Sequence, residues 1–294
     1  MVMTNKQAGV PSVLTDEQLA SARLLPRRKS WTWVAAVAVI LVLANALYSI
    51  LTNPGFGWPV VAEYFFSPQV MAGLVTTLML TAISMTLSLV LGIIVAVSAA
   101  SSNPVLSSVA KGYIWIFRAI PLLVQIIFWY NLAALYPRLG LGLPFMPSFV
   151  EVDTNSVITA ISAAIIAMSL NEGAYMAEIV RSGLNSVDSG QREASRALGM
   201  SSWDSFRRIV MPQAMRVIIP PTGNETLSML KYTSLVSVIA LPDLLYSTQL
   251  ISSRNFEVIP MLLVASLWYL IVSTILMIIQ SGIERHFARS VVRP

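Results

Sequence analysis

Residues 71–99 read MAGLVTTLMLTAISMTLSLVLGIIVAVSA, a run of 29 residues without a charged side chain. A helix needs about 20 predominantly apolar residues to cross the hydrocarbon core of a bilayer. A second uncharged run, WVAAVAVILVLANALYSIL, occupies residues 33–51 on the N-terminal side of the first. Stretches of this length and composition predict helices that span a membrane.

The composition of the whole chain points to the same class. Of its 294 residues, 56% are hydrophobic and 11% are charged, and the mean hydropathy is +0.72. Soluble domains carry about 25% charged residues, so this chain could not cover a water-facing surface. Soluble enzymes are therefore excluded, and disordered proteins are excluded because they need the opposite balance. The predicted fold is an all-α integral membrane protein.

Several kinds of chemistry are excluded by residue counts. Cysteine is absent, which removes disulfides, thiolate zinc sites and thiol nucleophiles. The single histidine, His286, lies in a basic C-terminal tail and is expected to be solvated or to face lipid headgroups. The net charge of +5 is typical of cytoplasmic loops in a membrane protein, so no nucleic-acid partner is predicted. We predict no metal site, no catalytic residue and no cofactor bound by this chain.

Six membrane spans are predicted from the apolar runs and from the residues that break them. They cover about Trp33–Leu51, Met71–Ala99, Tyr113–Leu135, a run that starts near Val157, a run that begins after Pro212 and is interrupted by Pro220-Pro221, and Ile259–Ile279. Positive charges concentrate in the N-terminal tail, in residues 181–216 and in the C-terminal tail, which places both termini in the cytoplasm. Residues 233–250 fit the end of the fifth span, a re-entrant turn or an external surface helix.

The same pattern divides the chain into four parts. Residues 1–30 form a cytoplasmic tail, 31–65 an extra N-terminal span with an external loop, 66–284 the main body with a cytoplasmic loop at 188–212, and 285–294 a basic tail.

Polar side chains within the predicted spans are the candidates for function. They cluster at three places, which together hold Arg118, Gln125, Asn171, Glu172, Glu178, Asn224, Glu225 and Lys231. Such groups are costly in lipid and normally face protein or a water-filled path. Taken together, these residues favour the interpretation that they line a translocation path. The alternative is that they form hydrogen bonds between helices. Asn224 and Lys231, seven residues apart, share a helix face, whereas Glu225 and Lys231 do not.

The loop at 188–212 has the sharpest local pattern. Asp188 and Ser201 are in capping positions, and Gly199 is a natural left-handed stop between two short helices, the second ending before Pro212. The first helix is expected to present a narrow acidic and small-residue face made by Glu193, Ala194, Ser195 and Ala197. Small residues suit docking into a groove of another protein better than resting on lipid headgroups, where large apolar side chains prevail.

These residues resemble a known motif. Glu193-Ala194-Ser195, followed by Gly199, Ile209 and Pro212 at their spacing, resembles the EAA loop of permease subunits of bacterial ABC importers. Ser195 stands where a second alanine is usual, and Met211 stands where leucine is usual.

Further segments resemble the permeases of polar amino acid importers. Residues 118–125, RAIPLLVQ, and residues 174–181, AYMAEIVR, are similar to two of that family's runs. A third run contains Pro221, Gly223 and Asn224, and continues through residues 233–239. Tyr232 departs from it, because many members carry aspartate there. The resemblance covers about residues 73–284.

The resemblance implies a five-helix core of the type I importer fold, with one extra N-terminal helix, in a bacterial inner membrane. It also implies a dimeric pore formed with a second copy or a paralogue, a separate ATPase subunit and an external solute-binding protein. Glu193, Ala194, Ser195, Gly199 and Pro212 would then couple the pore to the ATPase. ATP would be bound by that partner, since no G-x-x-x-x-G-K-[ST] loop is present here.

Two points stay open in the sequence. The carboxyl groups in the spans favour a cationic or zwitterionic solute, and Arg118 and Lys231 could hold a carboxylate. The rival functions are a secondary transporter or channel working without ATP, and a membrane enzyme. The enzyme is disfavoured because no pair of carboxylates has useful helical spacing.

Overall fold

The structure is a computed structural model, and it describes residues 30–142 and 148–288. Predictions for the N-terminal tail, the last residues of the C-terminal tail and part of the external loop fall outside these ranges. The chain divides into two compact units, residues 1–53 and residues 54–294.

Twelve helices and one hairpin make up the described regular structure, with short 3₁₀ and π segments between them. The helices are α1 (Ser30–Thr52), α2 (Trp58–Tyr64), α3 (Pro68–Ala99), α4 (Pro104–Ala119), α5 (Leu122–Tyr130), α6 (Thr154–Val157), α7 (Ala160–Asn185), α8 (Ser189–Ala197), α9 (Ser202–Ser205), α10 (Met211–Tyr232), α11 (Leu244–Asn255) and α12 (Val258–Ala288). The hairpin strands are β1 (Arg138–Leu141) and β2 (Val150–Asp153).

Four described helices are long and apolar enough to cross a membrane, and the number rises to six if two bent helix pairs each form one span. The four are α1, α3, α7 and α12, and the pairs are α4 with α5 and the segment Ser202–Ile239 with α11. The predicted all-α membrane fold of about six spans is confirmed. Helix α1 belongs to the first compact unit, and the side chains described in it are exposed.

Helix α7 lies at the centre of the second unit, packed against α3, α4, α5 and α10. Small residues let α3 and α7 approach closely: the Ser88 hydroxyl donates to the carbonyl oxygen of Ser169 at 3.3 Å, and Gly92 lies against Met176. Close backbone approach through small residues is the usual way in which membrane helices pack. The fourth predicted span is thus the helix around which the others assemble.

The third predicted span is wrong as a single helix, because α4 and α5 meet at an angle of 101°. The break lies at Ile120-Pro121, where the residue before proline takes an extended conformation. Pro121 has no N–H to give to the carbonyl oxygen of Phe117. Gln125 Nε2 and Asn171 Nδ2 donate to that oxygen instead, at 3.0 and 2.8 Å.

The structure of the fifth span differs from the prediction in two ways. Helix α10 runs through Pro220 and Pro221 without interruption, and it is packed against α7 and α12. Prolines within membrane helices are tolerated when neighbouring helices support them. The second short helix of the loop was predicted to end before Pro212. The structure instead joins α9 to α10 through a π-helical segment, Phe206–Val210, so the helical run continues past Pro212. Pro212 therefore falls in the first turn of α10, where its missing N–H costs little.

Residues 233–250 continue α10 as a 3₁₀ segment, Thr233–Ile239, and then enter α11 at a bend of 45°. Helix α11 buries one side against α3 and α12. The buried Asp243 caps it by accepting from the backbone N–H groups of Leu245 and Tyr246, at 3.2 and 2.8 Å.

Two predicted external loops contain regular structure. Helix α2 lies in the first and packs against α12, where Trp268 Nε1 donates to the carbonyl oxygen of Phe65 at 2.9 Å. The second compact unit, which begins at Pro54, includes this helix. The other loop forms the antiparallel pair β1–β2, with Arg138 opposite Asp153.

Candidate functional site

A partly exposed strip on α7 carries the first group of candidates. Tyr175, Glu178 and Arg181 recur every third residue, and residues at this spacing are neighbours on one helix face. Glu178 accepts two hydrogen bonds from the Arg181 guanidinium, one from Nε at 3.0 Å to Oε2. Because α7 is largely buried on its other sides, its solvent-accessible polar side chains lie mainly on this strip.

Helix α4 supplies the cation that faces this strip. The Arg118 guanidinium carbon lies 5.1 Å from the centroid of the Tyr175 ring, a cation–π contact. Arg118 also interacts electrostatically with Glu178 and, across to α10, with Glu225. Arg118 lies in the last turn of α4, directly before the bend at Ile120-Pro121.

Two carboxyl groups complete the cluster. Glu172 is 2% exposed, and its Oε1 has no hydrogen-bond partner among the described residues. It interacts electrostatically with the half-buried Glu225 of α10. The structure therefore brings together Arg118, Tyr175, Glu172, Glu178 and Glu225, which we call the central cluster. Of its three acids, Glu178 is paired with Arg181, whereas Glu172 and Glu225 have no ion-pair partner among the described residues.

A cavity of about 420 Å³ opens beside the central cluster, between the end of α3, α4 and α7. Arg118, Glu178 and Arg181 line it together with Lys111 and Trp115. This arrangement can bind a polar solute through both signs of charge and an aromatic face.

Gln125, predicted to line a path, has a different position. Its side chain is 5% exposed, and its Nε2 donates to the carbonyl oxygens of Phe117 and Ile120 at 3.0 and 2.8 Å. Its contacts therefore stabilise the α4–α5 bend. The sequence contains a signal for this role. Gln125 lies four residues after Pro121, whose missing N–H leaves the carbonyl oxygen of Phe117 without its usual helical donor.

Asn224 and Lys231 are also separated from the central cluster. Asn224 Oδ1 accepts from Gln280 Nε2 of α12 at 3.2 Å, so it bonds two helices together. Lys231 lines another cavity, between the end of α10 and α12. The helical spacing of Glu225 and Lys231 predicted that these two side chains would not share a face, and the structure places them so.

The loop at 188–212 forms a compact projection made of α8 and α9. Gly199 has φ +72° at the corner, the left-handed conformation predicted for a glycine stop. Ser201 caps α9 by accepting from the Asp204 N–H at 3.0 Å. Glu193 and Ala194 are exposed, whereas Ser195 is 1% exposed, so the expectation that Ser195 belongs to the outer face is wrong.

Ser195 is instead part of the inside of the projection. Its hydroxyl donates to the carbonyl oxygen of Arg192 at 2.8 Å, and it lies 2.6 Å from the Ser205 hydroxyl of α9. Arg192 in turn donates to the carbonyl oxygen of Leu184 in the last turn of α7, at 2.5 Å. These contacts tie α8 to α7 on one side and to α9 on the other, and α9 continues through the π-helical segment into α10.

Sequence reasoning missed two groups in the spans. Tyr175 was part of a quoted motif but was not chosen as a site residue, although its spacing from Glu178 gave a signal. Ser266, Tyr269 and Ser273 form a polar stripe on α12 at helical spacing, within a run that otherwise reads as an ordinary apolar span. Among residues 30–142 and 148–288, no group of three or more metal-ligating side chains comes together.

Comparison with known proteins decides the family. The family described as "Binding-protein-dependent transport system inner membrane component" matches residues 88–289. The chain belongs to this family. It is a multi-pass protein of the inner membrane, and the resemblance of its motifs to amino acid ABC permeases is confirmed.

Individual permeases of the family give the finer comparison. The chain is 46% identical over 270 residues to the arginine transport system permease protein ArgU of Corynebacterium glutamicum, covering 91% of this chain and 84% of that protein. It is 32% identical to the glutamate/aspartate import permease protein GltK of Escherichia coli, covering 75% and 94% of the two chains. The crystal structure of an amino acid ABC transporter with histidines matches with TM-score 0.64 at 32% identity, over 76% of this chain and 97% of that one. These relatives differ in the charge of the solutes that they are named for.

Proposed function

We propose that this chain is the membrane-spanning permease subunit of an ATP-driven importer for a cationic or zwitterionic amino acid. The observation that carries the proposal is the central cluster, in which the carboxyl groups of Glu172 and Glu225 interact with each other and neither has an ion-pair partner among the described residues. Glu178 is paired with Arg181, so Glu172 and Glu225 are the carboxyl groups left to bind an ammonium or guanidinium group of the solute. The 46% identity to a permease named for arginine transport supports the same class of solute.

The projection made of α8 and α9 would couple this path to a separate ATPase. Its exposed Glu193 and Ala194 and the open corner at Gly199 would dock into that subunit. Since α8 is bonded to α7 and to α9, which continues through the π-helical segment into α10, movement of the ATPase would tilt the two helices that carry Glu178 and Glu225. The central cluster would thereby be exposed to one side of the membrane and then to the other. ATP is bound and hydrolysed by the partner, so this chain is not itself the enzyme.

The remaining partners follow from the family. An external solute-binding protein delivers the amino acid, and a second copy or a paralogue of the permease completes the pore. With the projection in the cytoplasm, both termini lie on that side as well, which agrees with the distribution of Lys and Arg. An ATP-independent secondary transporter is not favoured by the relatives.

Co-purification from the native host tests the proposal. The tagged chain is expected to retain an ATPase subunit, and Gly199→Asp is expected to lose it, because the added charged side chain occupies the docking corner and φ +72° favours glycine over any residue with a Cβ. Gly112→Ala is the matched control, since the space around Gly112 is open and it lies in α4, away from the projection. Wild type that purifies without an ATPase, yet transports in sealed vesicles lacking ATP, would overturn the proposal in favour of the secondary transporter.

A further inference from the structure

A groove runs along the seam between α10 and α12 and measures about 310 Å³. Its lining is mainly apolar and includes Leu89 of α3 with Ile218, Leu227, Leu276, Ile279 and Ile283. The three polar side chains in the lining are hydrogen-bonded within the protein. Thr222 and Thr226 donate to carbonyl oxygens one turn earlier in α10, at 2.8 and 2.9 Å, and Gln280 Nε2 donates to Glu284 Oε1 at 2.8 Å. The groove therefore offers an apolar surface to whatever fills it.

A basic cavity of about 520 Å³ adjoins one end of the groove. It is lined by Met211, Pro212, Met215, Arg216, His286 and Phe287. Met215 lines both spaces. On α12, Ile283 of the groove and His286 of the cavity are three residues apart, so they are neighbours on one helix face. We call the two adjoining spaces together the seam site.

The positive charge of the basic cavity is not compensated. No acidic residue is among its lining residues. The half-buried Arg216 has neither an ion-pair nor a hydrogen-bond partner in the part of the chain that the structure describes. Glu284, the only acid of α12, does not line the cavity and accepts from Gln280. The cavity can therefore bind an anion through charge-assisted hydrogen bonds, which are the strong ones.

The position and length of the seam site match one leaflet of a bilayer. Met211 begins α10 and His286 lies in the last turn of α12, so the basic cavity lies where two spans end. Leu276 is the α12 residue of the groove that is farthest from this end, and it precedes His286 by ten residues. Ten helical residues rise about 15 Å, and half of the hydrocarbon core is also about 15 Å thick. The basic end thus falls at the depth of lipid headgroups and the groove at the depth of acyl chains.

We propose that the seam site binds one anionic phospholipid, with Arg216 and His286 holding its phosphate and the groove holding an acyl chain. Basic pockets between membrane helices, at the membrane surface, are typical of sites for anionic headgroups. Ile279 and Ile283 are 53% and 45% exposed, so the groove is open along its side. The bound lipid would contact α12 and the start of α10, the helix that continues from the projection. This inference goes beyond the proposed function, since it assigns a site that the transported solute does not use.

Photolabelling of the purified whole complex tests the site. The complex is reconstituted in nanodiscs of phosphatidylcholine with a trace of phosphatidylglycerol that carries a diazirine at the end of one acyl chain. Labelled residues are identified by mass spectrometry, at about 0.5 M NaCl so that diffuse attraction by exposed charges is screened. Wild type is expected to be labelled at Leu227 and Leu276, the lining residues farthest from the basic cavity. Unlabelled phosphatidylglycerol in place of half the phosphatidylcholine is expected to suppress this labelling, whereas zwitterionic phosphatidylethanolamine is not.

Two pairs of variants separate the site from the general surface. Arg216→Gln is expected to lower the labelling roughly tenfold or more, because a hydrogen bond to a charged group is lost. Arg285→Gln removes the same charge from an exposed position that does not line the cavity, and is expected to behave as wild type. Ile279→Trp fills the groove and is expected to lose the labelling. Ile278→Trp, at a neighbouring position that is 65% exposed and outside the lining, is expected to keep it.

Several outcomes would overturn the inference. Equal losses in Arg216→Gln and Arg285→Gln would show attraction by diffuse charge. Equal labelling of Ile279→Trp and Ile278→Trp would show that no acyl chain lies in the groove, and this pair carries the test if Arg216→Gln does not fold. Wild type without labelling at either leucine would show that protein, such as a second copy of the chain, covers the groove. Uptake and ATP play no part in the measurement, so its failure is distinct from a failure of the proposed function.

Discussion

One added methyl group at Gly92 should disturb the packing of α3 against α7. A Cβ built on Gly92 of α3 would lie 2.5 Å from the Met176 Cβ and 2.9 Å from the Ala177 backbone nitrogen of α7. Carbon atoms normally approach to about 3.5–4.0 Å, so α3 and α7 would have to separate by roughly 1 Å. The obstacle is backbone and a Cβ, which cannot rotate away.

The expected magnitude follows from two opposing contributions. Overpacking of this kind costs about 1–3 kcal/mol, whereas glycine to alanine within a helix gains up to about 1 kcal/mol. Gly112 offers a matched control, because it also lies in a helix, α4, and nothing lies within 4 Å of a Cβ built there. Gly92→Ala should therefore be about 2 kcal/mol less stable than Gly112→Ala.

Thermal unfolding of the purified chain in detergent, followed by tryptophan fluorescence, measures the difference. At about 2–4 °C for each kcal/mol in a chain of this size class, the Tm of Gly92→Ala should be lower than that of Gly112→Ala by about 4–8 °C. Equal Tm values for the two variants would refute the close approach of α3 and α7. The same result would also remove the basis for placing α7 at the centre of the fold.

Two further variants test the local structure around the candidate site. Ser195→Ala should lower the ratio of amino acid imported to ATP hydrolysed in the reconstituted complex. The change leaves the buried Ser205 hydroxyl without its hydrogen-bond partner, which costs about 1–3 kcal/mol. The double variant with Ser205→Ala should recover this ratio, and additive losses from the two substitutions would contradict the reasoning. Gln125→Leu should lower the Tm by a few degrees, because the carbonyl oxygen of Ile120 loses its side-chain donor. Gln249→Leu, at an exposed position, is the control and should leave the Tm unchanged. Equal Tm values for the two variants would show that the bend does not need the Gln125 hydrogen bond.

Local features of the site were predictable because they depend on neighbouring residues. Gly199 stops a helix through its own backbone freedom, and Ser201 caps the next helix with a side chain three residues away. The separation of Glu225 from Lys231 follows from helical geometry alone. The burial of Ser195 did not follow, since it depends on how the projection folds back on α9.

The sequence by itself determined the membrane class, the apolar spans and the family motifs, because length, charge and spacing act along the chain. The tertiary structure decided which polar groups meet. Arg118 lies over the Tyr175 ring because α4 packs against α7. Lys231 faces the serines of α12 because that helix returns beside the end of α10. Contacts between residues dozens of positions apart depend on helix packing, and no local pattern encodes them.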